Sequence, residues 1–143
     1  MKKEAAEILT SPWETVRLLK GYANRKQEHF GIILLDAGRK VIEKKVLFVG
    51  GSARCPVDVK VVFWEACKKE ASGIILFHNH PNGNSGPSKL DLETTEAIAH
   101  GSEILGIELL DHIIVSERDY FSFLEHNLIK VKDKQDDIAA ASN

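Results

Sequence analysis

Two histidines one residue apart, His78 and His80, precede a turn-rich loop and then the carboxylate of Asp91. Imidazole nitrogens and a carboxylate oxygen are ligands that a catalytic Zn²⁺ takes from proteins, with water in the fourth tetrahedral position. Such a site activates water for hydrolysis. The spacing therefore predicts a zinc site on these three residues and a hydrolase as the protein that carries it.

A zinc hydrolase also needs a base that accepts the proton of the attacking water. Glu28 is one of several candidates: it opens a strand next to Phe30 and Gly31, where the glycine allows close backbone approach, and the alternative is a solvated acid at a strand end. The hydroxyl of Ser88 can cap the helix that follows it, donate a hydrogen bond to a developing oxyanion, or do both. The remaining histidines are expected to be ordinary core or surface groups: His29, His100, His112 and His126.

Helix and strand patterns alternate around these residues. A helix is expected to begin at Pro12, with an apolar stripe through Val16, Leu19 and Ala23. Apolar runs and turn residues predict strands over 28–36, 41–49, 74–77, 107–116 and 120–123, the last one at a sheet edge. Two further helices are expected over 57–71, with Gly73 closing the first, and over 88–105.

The predicted inward faces of these two helices follow from the apolar spacing. For the first they are Val61, Val62, Trp64, Ala66 and Cys67, and for the second Leu92, Thr95, Ile98 and Ala99. The entirely apolar run 74–77 is typical of a central strand buried on both faces. Because side chains two residues apart on a strand point the same way, this strand would direct His78 and His80 toward one metal.

Composition limits the chain to one small globular domain with a single core. Its 143 residues are 43% hydrophobic and 28% charged, with a formal net charge of −2. We expect an N-terminal tail over 1–11, the domain over 12–129 and a disordered C-terminal tail over 130–143. Cys55 and Cys67 are expected to be half-buried thiols outside any metal or disulfide framework. With no signal peptide and no apolar stretch of membrane-spanning length, a cytoplasmic location without membrane contact is expected.

The series His78, Asn79, His80, seven residues, Ser88, two residues and Asp91 resembles the JAMM (MPN+) metalloprotease motif, which has a glutamate upstream. The strings 73–81, 86–88 and 110–115, with Tyr120 and 122–123, look like the RadC family over about 12–129.

The resemblance implies a JAMM/MPN-type α/β fold similar to cytidine deaminases, with a central mixed sheet flanked by helices. It also implies zinc on His78, His80 and Asp91. Glu28 maps onto the upstream glutamate and would be the general base and acid, while Ser88 would stabilise the oxyanion. Asp111 and His112 are expected to give structural support.

Two departures from the family pattern affect the expected function. In full-length RadC proteins a helix-hairpin-helix segment precedes a domain similar to this one, and this chain is expected to lack that segment. In addition, Val59-Lys60-Val61 stands where the family has Pro-Arg-Glu. Without that segment, and without a basic stripe, association with nucleic acid in repair or recombination is a weaker hypothesis than peptidase activity on a peptide or protein substrate.

Two further alternatives are a zinc-bearing scaffold without turnover, which the sequence leaves open, and a base deaminase. The deaminase is excluded because its His-x-Glu and Pro-Cys-x-x-Cys pair is missing. Residues that select the substrate are expected in the loops 50–56 and 81–87.

Overall fold

A computed structural model describes residues 7–50 and 57–130. Three helices and five strands form one α/β domain with a mixed sheet, which confirms the expected fold class. The helices are α1 (Pro12–Leu18), α2 (Val59–Lys68) and α3 (Lys89–Leu105); the strands are β1 (Glu28–Leu35), β2 (Val41–Gly50), β3 (Gly73–Asn79), β4 (Glu108–Val115) and β5 (Tyr120–Ser122). The expectations for Cys55 and for residues 1–6, 51–56 and 131–143 lie outside the described residues.

The sheet order is β2-β1-β3-β4-β5. β1 runs antiparallel to both β2 and β3, whereas β3 and β4 are parallel and are joined by α3 as the crossover helix. Every residue of β3 is buried, so the predicted central strand is confirmed. β5 lies at the sheet edge as predicted, paired only with β4 among the described strands.

The core forms two layers, one on each face of the sheet. On one face, Val62 and Phe63 of α2 and Ile98 of α3 pack in the cluster that contains Ile32 of β1. On the other face, Leu19, which follows α1, packs in the cluster that contains Ile33 of β1. Because neighbouring strand residues point to opposite faces, the apolar run of β1 supplies both layers.

The prediction for α2 was wrong at its end and on part of its inward face. The helix ends at Lys68, and Gly73 is the first residue of β3. Trp64 is 63% exposed and Cys67 is also exposed, so neither packs inward as expected. Val62 and Ala66 are buried as predicted, and Phe63 and Glu65 are buried beside them. Val62 and Ala66 are four residues apart and therefore lie on one face of the helix.

The inward face of α3 also differs from the expected one, and α1 is shorter. Thr95 and Ile98 are buried as predicted, but Leu92 and Ala99 are exposed and Ser102 is buried instead. The steps of three and four residues from Thr95 explain this face. α1 ends at Leu18 and is followed by a short 3-10 helix over Lys20–Tyr22. No helix within the described ranges has the length and apolarity needed to cross a membrane.

Gly31 allows β1 to pass closely over the core. A Cβ at this position would overlap the Phe77 ring and would lie 2.5 Å from the backbone oxygen of Lys45. We expect Gly31→Ala to lower the free energy of unfolding by about 3 kcal/mol, because backbone and a packed ring cannot both move aside. Urea unfolding would measure this, with Gly21→Ala as the control, since a Cβ there meets nothing within 4 Å. Equal midpoints for the two variants would contradict the expectation.

Candidate metal centre

The sheet and the crossover helix bring the candidate ligands to one end of β3. His78 is the penultimate residue of that strand, His80 follows the strand, and Asp91 lies in the first turn of α3. In the antiparallel pair of β1 and β3, Phe30 lies opposite His78, so the first residue of β1, Glu28, reaches the same end. Residues from three separate segments of the sequence therefore meet at the end of the central strand.

The donor atoms of these four residues converge. His78 Nε2 lies 2.9 Å from His80 Nε2 and 3.1 Å from Asp91 Oδ1, and His80 Nε2 lies 3.2 Å from Asp91 Oδ2. Glu28 Oε1 is farther away, 3.9 Å from His78 Nε2. One ligand atom from each residue lies within 4.8 Å of all the others, and the group could hold a metal ion.

The donor set fits a tetrahedral metal. Ligands about 2.0 Å from a tetrahedral Zn²⁺ are about 3.3 Å from one another, close to the 2.9–3.2 Å that separate the imidazole and Asp91 atoms. Two imidazole nitrogens and one carboxylate oxygen are a combination that suits zinc.

Asp91 is fixed by a capping box at the start of α3. The Asp91 N–H donates to Ser88 Oγ at 3.1 Å, and the Ser88 N–H donates to Asp91 Oδ2 at 2.8 Å. The predicted cap role of Ser88 is therefore confirmed. Since Oγ acts as acceptor in this cap, its own proton stays free for the oxyanion role, which remains a prediction.

The electrostatics favour an anionic Asp91. Burial of its carboxyl group disfavours the charged form, but hydrogen bonds with His78 and His80 outweigh burial and hold the pKa well below its usual range. Burial also lowers the pKa of His80, yet the contacts with the Asp91 carboxylate and the Asn84 carbonyl raise it overall. A cation at this position would therefore meet a carboxylate that is already ionised, and it would compete with protons for His80.

His112 connects the candidate ligand His78 to α3. His78 Nδ1 lies 2.8 Å from His112 Nε2, and His112 Nδ1 lies 2.6 Å from Thr95 Oγ1. The Thr95 hydroxyl donates its only proton to the backbone oxygen of Asp91 at 2.7 Å, so Thr95 must accept from His112 Nδ1. Burial holds the pKa of His112 well below its ordinary value, so its ring is neutral and carries one proton.

The direction of these hydrogen bonds determines which nitrogen of His78 carries a proton. With its proton on Nδ1, neutral His112 can only accept at Nε2, and so His78 donates from Nδ1. The other ring nitrogen of His78, Nε2, faces His80 and Asp91 and is the atom that a cation could bind. A partner on the second ring nitrogen that fixes the tautomer of a ligand is typical of metal-binding histidines.

His112 is buried, as expected of a core residue, and it contacts a candidate ligand, which agrees with the structural support that the resemblance implied. The contact depends on the parallel pairing of β3 with β4, in which Leu76 lies opposite His112. Because β3 and β4 are far apart in the sequence, this pairing could not be predicted from local sequence patterns. The other three histidines lie outside the cluster: His29, His100 and His126.

We expect His112→Phe to weaken zinc binding about 10- to 100-fold, because the ring shape is kept but the hydrogen bond to His78 Nδ1 is lost. Competition with a fluorescent zinc chelator would measure the affinity, and thermal unfolding would confirm that the variant folds. His100→Phe is a suitable control, since His100 is exposed on α3. An unchanged affinity in His112→Phe would show that His112 only fills space.

Asp111 supports His112 from β4, as the sequence suggested. Its carboxylate accepts from the Ser122 hydroxyl at 2.7 Å and from the backbone N–H groups of His112 and Leu124 at 2.7 and 3.0 Å. Burial nevertheless raises the pKa of Asp111 to about 6. These bonds anchor the chain beyond β5, where the Phe123 ring stacks on His112 with centroids 4.5 Å apart.

Asn79 is a positioning residue that the sequence analysis did not single out. Its side chain is buried, accepts from the His29 N–H at 2.6 Å and donates to the carbonyl oxygens of Gln27 at 3.0 Å and Arg25 at 3.3 Å. These bonds tie both neighbours of Glu28 to β3. The sequence held one signal for this role. Asn79 lies between two candidate ligands, and on a strand its amide side chain must point to the face opposite theirs.

The cluster borders a cleft of about 420 Å³. Glu28, Ser88, His80 and Asp91 all contribute to its walls. The other lining residues are Lys26, Gln27, Phe30, Phe48, Gly50, Val57, Pro81, Asn82, Leu90 and Thr94. Of the two loops predicted to select substrate, 81–87 contributes Pro81 and Asn82, whereas most of 50–56 lies outside the described residues.

This chain is similar to one protein family and to several curated proteins. A family model described as RadC-like JAB domain matches residues 9–128 of this chain. UPF0758 proteins of Streptococcus pyogenes serotype M49 (strain NZ131) and serotype M1 are each 39% identical to it over 122 residues. These matches cover 85% of this chain and 54% of each relative, so the chain spans about half the length of the curated relatives it matches.

Proposed function

Because the chain belongs to the RadC-like JAB-domain family, we propose that it is a zinc-dependent peptidase that hydrolyses a peptide or isopeptide bond. The observation that carries this proposal is the convergence of Glu28, His78, His80 and Asp91 beside an open cleft. The two imidazoles and Asp91 would hold the ion, which leaves the carboxylate of Glu28 for proton transfer.

The separation of Glu28 from the other three residues supports its role as a base. Glu28 Oε1 is 3.9 Å from His78 Nε2, whereas Asp91 Oδ1 is 3.1 Å from the same atom. The Glu28 side chain is also 30% exposed and lines the cleft. A carboxylate placed beside the ligands and open to the cleft can exchange a proton with water and with a substrate.

A zinc ion in this site would lower the pKa of a water molecule toward about 7 and would polarise the carbonyl group of the substrate. Glu28 would accept the proton of the attacking water and pass it to the nitrogen of the leaving amine. The Ser88 hydroxyl would donate a hydrogen bond to the carbonyl oxygen as negative charge develops there. His112 and Asn79 would act through other residues, His112 by orienting His78 and Asn79 by holding the segment that carries Glu28.

The proposal is tested with protein purified without chelators. Metal analysis should find about one zinc per chain, and a proteome-derived peptide library should acquire new amino termini, detected by labelling and mass spectrometry. Treatment with a chelator should abolish cleavage, and added zinc should restore it. Zinc-free protein, or cleavage that persists after complete metal removal, would refute a zinc peptidase.

A further inference from the structure

One side of the cleft is apolar and begins at the metal centre itself. The ring of Phe30 stacks against His78 with centroids 5.8 Å apart, and the ring of Phe48 on β2 lies 6.3 Å from Phe30. Val57 and Leu90 continue the same lining. Apolar side chains therefore line the cleft together with the metal centre.

Polar residues also line the cleft. Glu28, His80, Ser88 and Asp91 lie at the metal centre, and Lys26 adds a cationic group to the lining. Phe48, Val57 and Leu90 are only partly buried and face a concave space that the described residues do not fill. Binding sites commonly combine apolar walls with a few polar groups that fix orientation, and this arrangement has that form.

We propose that the surface formed by Phe30, Phe48, Val57 and Leu90, here called the apolar wall, binds one uncharged apolar side chain of the substrate. This inference rests on the proposed function, which sets the scissile carbonyl at the metal centre. An extended peptide advances about 3.3 Å per residue, so the side chain next to that carbonyl reaches a surface that begins 5.8 Å from the His78 ring. The substrate class is a peptide or protein with a residue such as leucine or phenylalanine beside the scissile bond.

Charge and solvation exclude the other side-chain classes from this wall. A carboxylate placed against these apolar side chains would lose water, and Glu28 and Asp91 in the same cleft would repel it. An ammonium group would lose its water against Phe48 and Leu90. Glycine would leave the wall exposed and would gain nothing from it.

N-acetyl amino acid hydroxamates test the wall without any known substrate, because the hydroxamate binds zinc while the side chain samples the neighbouring surface. The zinc-loaded protein is titrated calorimetrically with the glycine, leucine, phenylalanine, aspartate and lysine compounds. We expect the leucine and phenylalanine compounds to bind at least about 10-fold more tightly than the glycine compound. The aspartate and lysine compounds should bind no more tightly than glycine.

Substitutions in the apolar wall test whether it causes the preference for apolar side chains. Leu90→Ala and Phe48→Ala should each reduce the leucine-to-glycine affinity ratio several-fold while leaving the affinity for the glycine compound unchanged. Leu90 is only partly buried, so its variant is expected to fold even if Phe48→Ala does not. Leu92→Ala is the control, since Leu92 is on α3 but outside the cleft lining.

The outcomes separate this inference from the proposed function. Equal affinities for the glycine and leucine compounds would overturn the wall and would leave zinc-dependent hydrolysis standing. A leucine preference that Leu90→Ala and Phe48→Ala both leave unchanged would also overturn it. A preference reduced by these variants in a protein that never cleaves peptides would support the wall and refute the peptidase. Failure of the chain to bind zinc would overturn both.

Discussion

Replacing His78 and His80 with alanine should give a folded protein whose zinc content falls from about one per chain to below about 0.1. The two substitutions remove both imidazole donors of the cluster, and Asp91 and Glu28 alone make a poor zinc site. Metal analysis after purification without chelators measures the loss, and circular dichroism confirms the fold. Because His78 is buried against His112, a stability loss of about 1–3 kcal/mol is also expected.

The matched control for the double variant is His100→Ala, which removes an exposed histidine from α3. It should keep the full zinc content and the wild-type stability. A double variant that still binds one zinc would show that the metal is held elsewhere in the chain. The assignment of His78 and His80 as ligands would then be wrong.

Changing Glu28 to glutamine should preserve zinc binding and reduce the rate of peptide cleavage about 10²- to 10⁴-fold. The amide keeps the size and the hydrogen-bonding capacity of the side chain but cannot accept the proton of the attacking water. The measurement compares zinc content and cleavage of the peptide library in the same preparation. Glu96→Gln, an exposed position on α3, is the control and should cleave at the wild-type rate.

The zinc-bearing scaffold predicts a different result for the same variant. If the metal has only a structural role, wild type and Glu28→Gln should bind zinc equally and neither should cleave peptides. If cleavage occurs and is unaffected in Glu28→Gln, then another residue is the base. The single substitution therefore distinguishes an enzyme that uses Glu28 from an enzyme that does not, and both from a scaffold.

Much of the site could be predicted because its densest part is local in the sequence. His78 and His80 lie at the end of an apolar run, and Asp91 lies where Ser88 begins a helix, so strand periodicity and capping rules indicate both positions. A short loop joins these two elements, which leaves little freedom in how they meet. The strands β1, β2, β4 and β5 were likewise predicted to within one residue at each end.

The remaining features depend on pairing between distant strands and on packing. The position of Glu28 follows from the register that sets Phe30 opposite His78, and the contact of His112 with His78 follows from the parallel pairing of β4 with β3. Hydrophobic periodicity carries no information on register. It also misassigned Trp64, since a large apolar side chain satisfies a pattern whether it packs inward or stays exposed.

The capping box at Ser88 and Asp91 fixes one end of the segment 81–87, and this affects the entropic cost of closing that loop. His80 directly follows β3, and its N–H donates to the Val115 carbonyl oxygen of β4, while Asp91 lies in the first turn of α3. A single ion shared by these two side chains would therefore close the intervening loop as a cross-link does. Closing a loop removes conformations mainly from the unfolded chain, and the cost grows only slowly with loop length. A change in the length of this loop should therefore alter the stability of the folded protein only slightly, as long as the Asn84 carbonyl oxygen still reaches His80 Nδ1.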